Sequence, residues 1–172
     1  MSEKRGEIMN LFERDIEIKA KDTGDLITID GWLNDSYHEM TLSVDFSFPD
    51  LIIKRIEGKM IKYPHQDCLP GIDSLKNVLG IRAGRNFFQK IEEAYGGPRG
   101  CVHLLNLLYE AGLASVQARF AKTKLLSPEE METIPKARLI KMYLNFQPGM
   151  RDSCIAWSNE SPMVKEADSL PE

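Results

Sequence analysis

Along the first third of the chain apolar and polar residues alternate with a period of two, and after Cys68 the apolar spacing becomes that of helices. The alternation is strictest from His38 to Phe48. Its even positions are His38, Met40, Leu42, Val44, Phe46 and Phe48, and its odd positions are Glu39, Thr41, Ser43, Asp45 and Ser47. A strand with that pattern buries one face and wets the other. Shorter alternating runs, Asp15–Ile18 and Leu26–Ile29, flank Asp22-Thr23-Gly24-Asp25, whose Asp and Gly suit a hairpin turn. Pro49-Asp50 turns the chain again, into a strand from Leu51 to Met60. Together these segments predict an antiparallel β-meander.

Beyond Cys68, Asp73–Leu79 reads as a short helix closed by Gly80, and Asn86–Tyr95 as a second one stopped by Gly96-Gly97, both suited to a left-handed cap. The longest helix is predicted to start near Gly100 and to run through Leu104, Leu105, Leu108, Ala111, Ser115 and Ala118, a stripe that is apolar at first and then small enough for close packing. Ser127-Pro128-Glu129-Glu130 is a capping box with Pro at the first helical position, opening a helix that is interrupted at Pro135 and reaches Asn145. Strands followed by helices predict an α+β domain, its helices packed on one face of the antiparallel sheet. No repeat and no Pro, Gly or Ser-rich linker is visible, so residues 1–172 read as a single domain. Its core is expected over about residues 11–157, with polar, flexible ends at 1–10 and 158–172.

Composition narrows the function classes. Of 172 residues 42% are apolar and 28% charged, which is a globular profile, and 22 Lys and Arg against 26 Asp and Glu leave a net charge of −4. That balance gives no electrostatic footprint for nucleic acid. No stretch is long and apolar enough for a membrane helix, and Met1–Glu7 lacks the apolar run of a secretory signal, so a cytoplasmic protein with no membrane partner is expected. Three widely spaced cysteines in such a chain are expected to be reduced thiols.

Two of them sit where chemistry is plausible. Cys68 lies in Tyr63-Pro64-His65-Gln66-Asp67-Cys68-Leu69-Pro70-Gly71, a turn-rich loop between the last strand and the first helix. Cys101 lies in Gly100-Cys101-Val102-His103-Leu104 at the start of the longest helix, where free backbone N–H groups and the helix dipole favour an anion. His38 opens the alternating strand on its buried face, and an imidazole there needs a partner. If the sheet and the long helix pack as predicted, His38, Cys68, Cys101 and His103 converge at one end of the sheet, and thiolate and imidazole are the ligands of tetrahedral zinc, with iron as the alternative. The bland reading is that each thiol is a small core residue and each imidazole is satisfied by a carbonyl or carboxylate. His65, beside Pro64, reads as a solvated loop residue.

The ordered set His38-Glu39-Met40, Tyr63-Pro64-x-x-x-Cys68, Gly100-Cys101-Val102-His103-Leu104 and Asp152-Ser153-Cys154-Ile155-Ala156-Trp157 resembles a bacterial family, domain of unknown function 2889, over about Arg14 to Val164. It departs from the family pattern at Val102, where Thr is usual, and at Ile155, where His is usual. The resemblance implies that His38, Glu39, Cys68, Cys101, His103 and Cys154 are the marked positions, and it implies no activity. The order of strands, loop cysteine and helix-opening Cys/His pair is also similar to the U-type scaffolds of iron-sulphur cluster assembly, in which an Asp near the first strands and later cysteines bind zinc or a nascent cluster. His38 falls where that Asp would lie, and Cys68 and Cys101 where cysteines would.

Three functions follow as expectations. The leading one is a metal-binding Cys/His protein, an accessory or cluster-handling scaffold, with Cys68, Cys101 and His38 or His103 as ligands to zinc, iron or an iron-sulphur cluster. The second is a cysteine- or metal-dependent enzyme, with Cys101 as nucleophile, His103 or His38 as base and Glu39 as orienting or acid/base carboxylate, or with an open metal position that activates water and Glu39 as base, although alternation aims Glu39 away from the His38 face. The third is a protein-interaction module whose partner surface is helix 127–145, through Ile134, Leu139, Ile140 and Leu144.

Overall fold

In the computed structural model, which describes residues 10–123 and 127–171, the chain forms two compact units that divide after Lys122. No shift in composition marks that division, which is why the sequence reads as one domain.

The first unit opens with four strands, β1 (Arg14–Asp22), β2 (Leu26–Asp35), β3 (Glu39–Ser47) and β4 (Ile53–Lys62), paired antiparallel in the order β1-β2-β3-β4. This is the predicted meander. The β1–β2 turn is closed by Asp22, whose Oδ1 accepts the Gly24 N–H at 3.1 Å, while Gly24 takes the left-handed φ of 81° that favours glycine. Register follows burial, since Val44 pairs with Ile29 and Ile56 on the core face, and Met40 with Leu33 and Met60. The opposite face carries Thr28, Asp30, Ser43, Asp45 and Arg55, linked by hydrogen bonds such as Thr28 Oγ1 to Asp45 Oδ1 at 2.7 Å and Ser43 Oγ to Asp30 Oδ1 at 2.8 Å.

After β4 come a 3-10 turn at Gln66–Cys68, α1 (Pro70–Asp73), a 3-10 turn at Ser74–Val78, α2 (Phe87–Tyr95) and α3 (Val102–Thr123). Gly80 and Gly97 take positive φ, 83° and 59°, as expected for left-handed helix stops. The helices cover one face of the sheet. Leu104, Leu105, Leu107 and Leu108 of α3 are buried together with Phe87, Ile91 and Tyr95 of α2 and the core row of β2 and β3. Close approach is possible because Gly31 and Gly58, in register with Leu42 on either side, carry no side chain. A Cβ on Gly31 would stand 3.3 Å from Leu107, and one on Gly58 only 2.5 Å from Leu75.

The second unit begins with α4 (Pro128–Thr133), opened by the predicted capping box, in which Glu130 N donates to Ser127 Oγ at 3.2 Å and Ser127 N to Glu130 Oε2 at 2.7 Å. Pro135 does interrupt the helix, and α5 (Lys136–Phe146) follows it. Residues 158–171, expected to be a flexible polar end, instead carry α6 (Pro162–Asp168). The reason is two small apolar side chains, Val164 and Ala167, which are fully buried against Ile140 and Leu144 of α5. Of the four residues expected to form a partner surface, Ile140 and Leu144 are covered by α6, while Ile134 and Leu139 are half-buried. The expected flexible end at 1–10 falls, apart from Asn10, outside the described residues.

Candidate functional site

The site grows from the end of β2. Residues Ile27, Ile29 and Leu33 alternate inward, and Asp35 continues that phase, so its carboxylate is carried to the buried side where the strand stops. Its side chain has no exposed surface. Oδ1 accepts the backbone N–H groups of Tyr37 and His38, each at 2.8 Å, which folds the β2–β3 turn around the carboxylate. The same oxygen lies 3.1 Å from His38 Nδ1, and Oδ2 receives Arg14 of β1 at 2.9 Å from Nε and 2.5 Å from the terminal nitrogen. Burial pushes the Asp35 carboxyl up, but the donors from Tyr37, Arg14 and His38 outweigh it and hold the group well below the usual carboxylate range. Lys62 Nζ donates to the Asp35 carbonyl at 2.5 Å and ties the end of β4 to the same turn.

His38 stands in this turn, one residue before β3, and not within the strand as the alternation suggests. The carboxylate of Asp35 captures the chain before β-pairing resumes at Glu39. His103, in the first turn of α3, stacks on it with ring centroids 3.7 Å apart and planes at 30°. Burial, then the neighbouring His38 and Arg14, lower the His103 pKa below its ordinary 6.5, against a smaller upward pull from Asp35. Cys101 Sγ lies 4.0 Å from His103 Nδ1. Cys101 itself precedes the helix, and its carbonyl accepts the Leu105 N–H at 2.8 Å, so it caps α3 where the sequence placed it in the first turn.

The convergence expected of four residues is thus met by part of the set. His38 and His103 come together, and Cys101 adjoins His103. Cys68 lies with Cys101 on a cavity of about 340 Å³. Among the described residues, the group of three carboxylate, imidazole or thiol ligands whose donor atoms fall within 4.8 Å of one another is Asp35, His38 and His103. Glu39 is on the other face of the sheet, accepting Trp32 Nε1 at 3.4 Å. Cys154 is exposed and belongs to the second unit. His65 is exposed in its loop, where Nδ1 accepts the Asp67 N–H at 3.3 Å. The residues missed in the sequence were Asp35 and Arg14. The available signal for Asp35 was a charged residue in the buried phase of a strand, directly before a turn.

The fold and site define an α+β protein whose four-stranded meander ends in a cluster of one buried Asp and two half-buried His at the start of its long helix. The chain belongs to the family described as protein of unknown function (DUF2889), which matches residues 12–117. The match covers β1 to most of α3, including every residue of the cluster, and ends before Asp152–Trp157, so the last element of the resemblance lies outside it. No curated protein and no solved structure matches the chain. Among the described residues no helix is long and apolar enough to cross a membrane.

Proposed function

We propose that the strand and helix unit holds a divalent transition-metal ion, zinc before iron, between His38 and His103, with Cys101 as third ligand and Asp35 as the carboxylate that orients His38. The observation that carries this reading is the pair of imidazoles at 3.7 Å, one of them anchored through Nδ1 on a buried, ionised carboxylate. An anionic Asp35 accepts, so Nδ1 carries the proton and Nε2 of His38 is left with a free lone pair, the arrangement that metal-binding histidines use. Both Asp35 oxygens are already engaged by Tyr37, His38 and Arg14, which suits an orienting role better than direct ligation.

The lowered pKa of His103 keeps that ring neutral and available near pH 7. The 4.0 Å between Cys101 Sγ and His103 Nδ1 is close to the N···S edge of a tetrahedral zinc site, about 3.5 Å for ordinary Zn–N and Zn–S bonds. Rings stacked at 30° do not aim both lone pairs at one ion, so loading requires His103, which Asp35 does not hold, to turn. Two imidazoles and a thiolate leave one tetrahedral position open.

Metal analysis of protein purified without a His tag tests this. Zinc at one ion per chain, lost in His38→Ala and His103→Ala and reduced in Cys101→Ser, is the expected result. Iron with visible sulphide-to-iron absorption would favour the cluster-handling alternative. Metal-free protein in which Cys101 alkylates rapidly in a His103-dependent manner would replace the proposal with the nucleophile reading, which the same Cys101–His103 approach supports.

A further inference from the structure

We propose that Cys68 and Cys101 form a second site, distinct from the histidine centre, that binds a soft monovalent cation of the copper(I) type between two thiolates. The site shares only Cys101 with the centre above and stands on its own geometry.

Three observations carry it. The backbone from His65 to Ile72 winds with three-residue spacing, Cys68 N to His65 O at 3.1 Å, Leu69 N to Gln66 O at 3.1 Å and Ile72 N to Leu69 O at 2.9 Å. The segment brings Gly71, three residues past Cys68, directly against Cys101: a Cβ built on Gly71 would meet Cys101 Cβ at 3.2 Å and its backbone nitrogen at 3.4 Å.

The approach is held from behind. The Tyr95 hydroxyl donates to the Gly71 carbonyl at 2.7 Å and lies against the Cys101 backbone N–H, so one side chain clamps the turn of the first thiol to the helix start of the second. Both half-buried thiols line the same cavity of about 340 Å³, with Asp67, Ser74 and Arg99 also on its wall.

The chemistry selects the ion. The cavity wall carries two thiols and no imidazole, since His103, 4.0 Å from Cys101 Sγ, is not among its lining residues; two thiolates suit a soft d10 cation that accepts two-coordination, whereas zinc needs four ligands. The one carboxylate on the wall, Asp67, is paired with His65 at 3.2 Å. Binding converts two thiols and one M⁺ into a bis-thiolate of net charge −1 and releases two protons to the solvent. Arg99, whose guanidinium donates to the Glu92 carbonyl at 3.1 Å, adds a positive charge to the same wall, and the start of α3 carries the positive end of the helix dipole.

Anaerobic titration of the full reduced chain with copper(I), buffered by a chromophoric copper(I) chelator, tests the site. Expected is one copper(I) per chain, retained in Cys154→Ser and in the His38→Ala/His103→Ala double variant, and lost in Cys68→Ser and Cys101→Ser. Retention in the double histidine variant, which loses zinc if the proposed centre exists, keeps the two proposals separable. Copper X-ray absorption on the wild-type protein should give two sulphur neighbours, and it decides the matter even if a cysteine variant misfolds. Undiminished binding by folded Cys68→Ser, nitrogen in the copper shell, loss of copper(I) with the histidines, or failure of the wild-type chain to take copper(I) from the chelator would each overturn the proposal.

Discussion

A single carboxylate organises the site. Asp35 is the residue at which a strand ends, a turn folds and an imidazole is fixed, and its negative charge is what Arg14 pairs with. Replacing it by Asn keeps the shape but removes the charge that Arg14 and His38 face. Breaking a buried pair in this way costs about 3 kcal/mol, to be read as a lower urea midpoint at unchanged slope.

The same residues set a pH dependence. His103 titrates below 6.5 when folded and at 6.5 when unfolded. Its neutral form is therefore the one that the fold favours: stability is full above pH 6.5 and falls as the pH drops through that value towards the folded pKa. Asp35 acts in the same direction at lower pH, its contribution being full above 3.8 and lost as the pH falls below it. Urea midpoints of chelator-treated protein, measured from about pH 7.5 to about pH 3, should decline in these two windows, and His103→Gln should flatten the upper one.

At the scale of elements, the long helix reaches the sheet because small residues stand where it crosses other elements. Gly112 is the tightest example: a Cβ there would fall 2.0 Å from the Phe87 ring of α2. Gly112→Ala gains about 1 kcal/mol of helix propensity and overpacks the α2–α3 contact by about 1–3 kcal/mol, so a net loss is expected in thermal unfolding. The apolar-then-small stripe of α3 made close packing legible in the sequence, and the full burial of Ser115, whose hydroxyl is satisfied within the helix by the Gly112 carbonyl at 2.8 Å, agrees with it. Leu107 was not legible as core. The helix is buried over a wider arc than the stripe of Leu104, Leu105 and Leu108, because it lies against both the sheet and α2. Likewise α6 was hidden in a polar run, since two small apolar residues, Val164 and Ala167, are enough to seat a seven-residue helix on α5.

On the whole-molecule scale, binding and folding are linked. The proposed zinc ligands come from the β2–β3 turn and from the start of α3, more than sixty positions apart, so no unfolded chain presents them together. Removing the ion with a chelator should lower the unfolding temperature of the wild-type protein. Free zinc at about 100 times its dissociation constant should restore about 2.7 kcal/mol of stability, and His103→Ala should respond to neither treatment. Calorimetry with and without chelator reads this directly.

Alternation and helical spacing by themselves determined the meander, its wet face, the positions of the helix stops and the capping box, because each depends on residues a few positions apart. They also marked His38, Cys68, Cys101 and His103 as the residues able to carry chemistry. Which of these meet was decided only by tertiary structure. The register of four strands, and the point at which α3 crosses them, bring His103 onto His38 and seat Asp35 and Arg14 behind it, while Cys68 and Cys101 come to line one cavity where Gly71 lies against Cys101. Contacts of that kind join residues distant in sequence, and no local pattern encodes them.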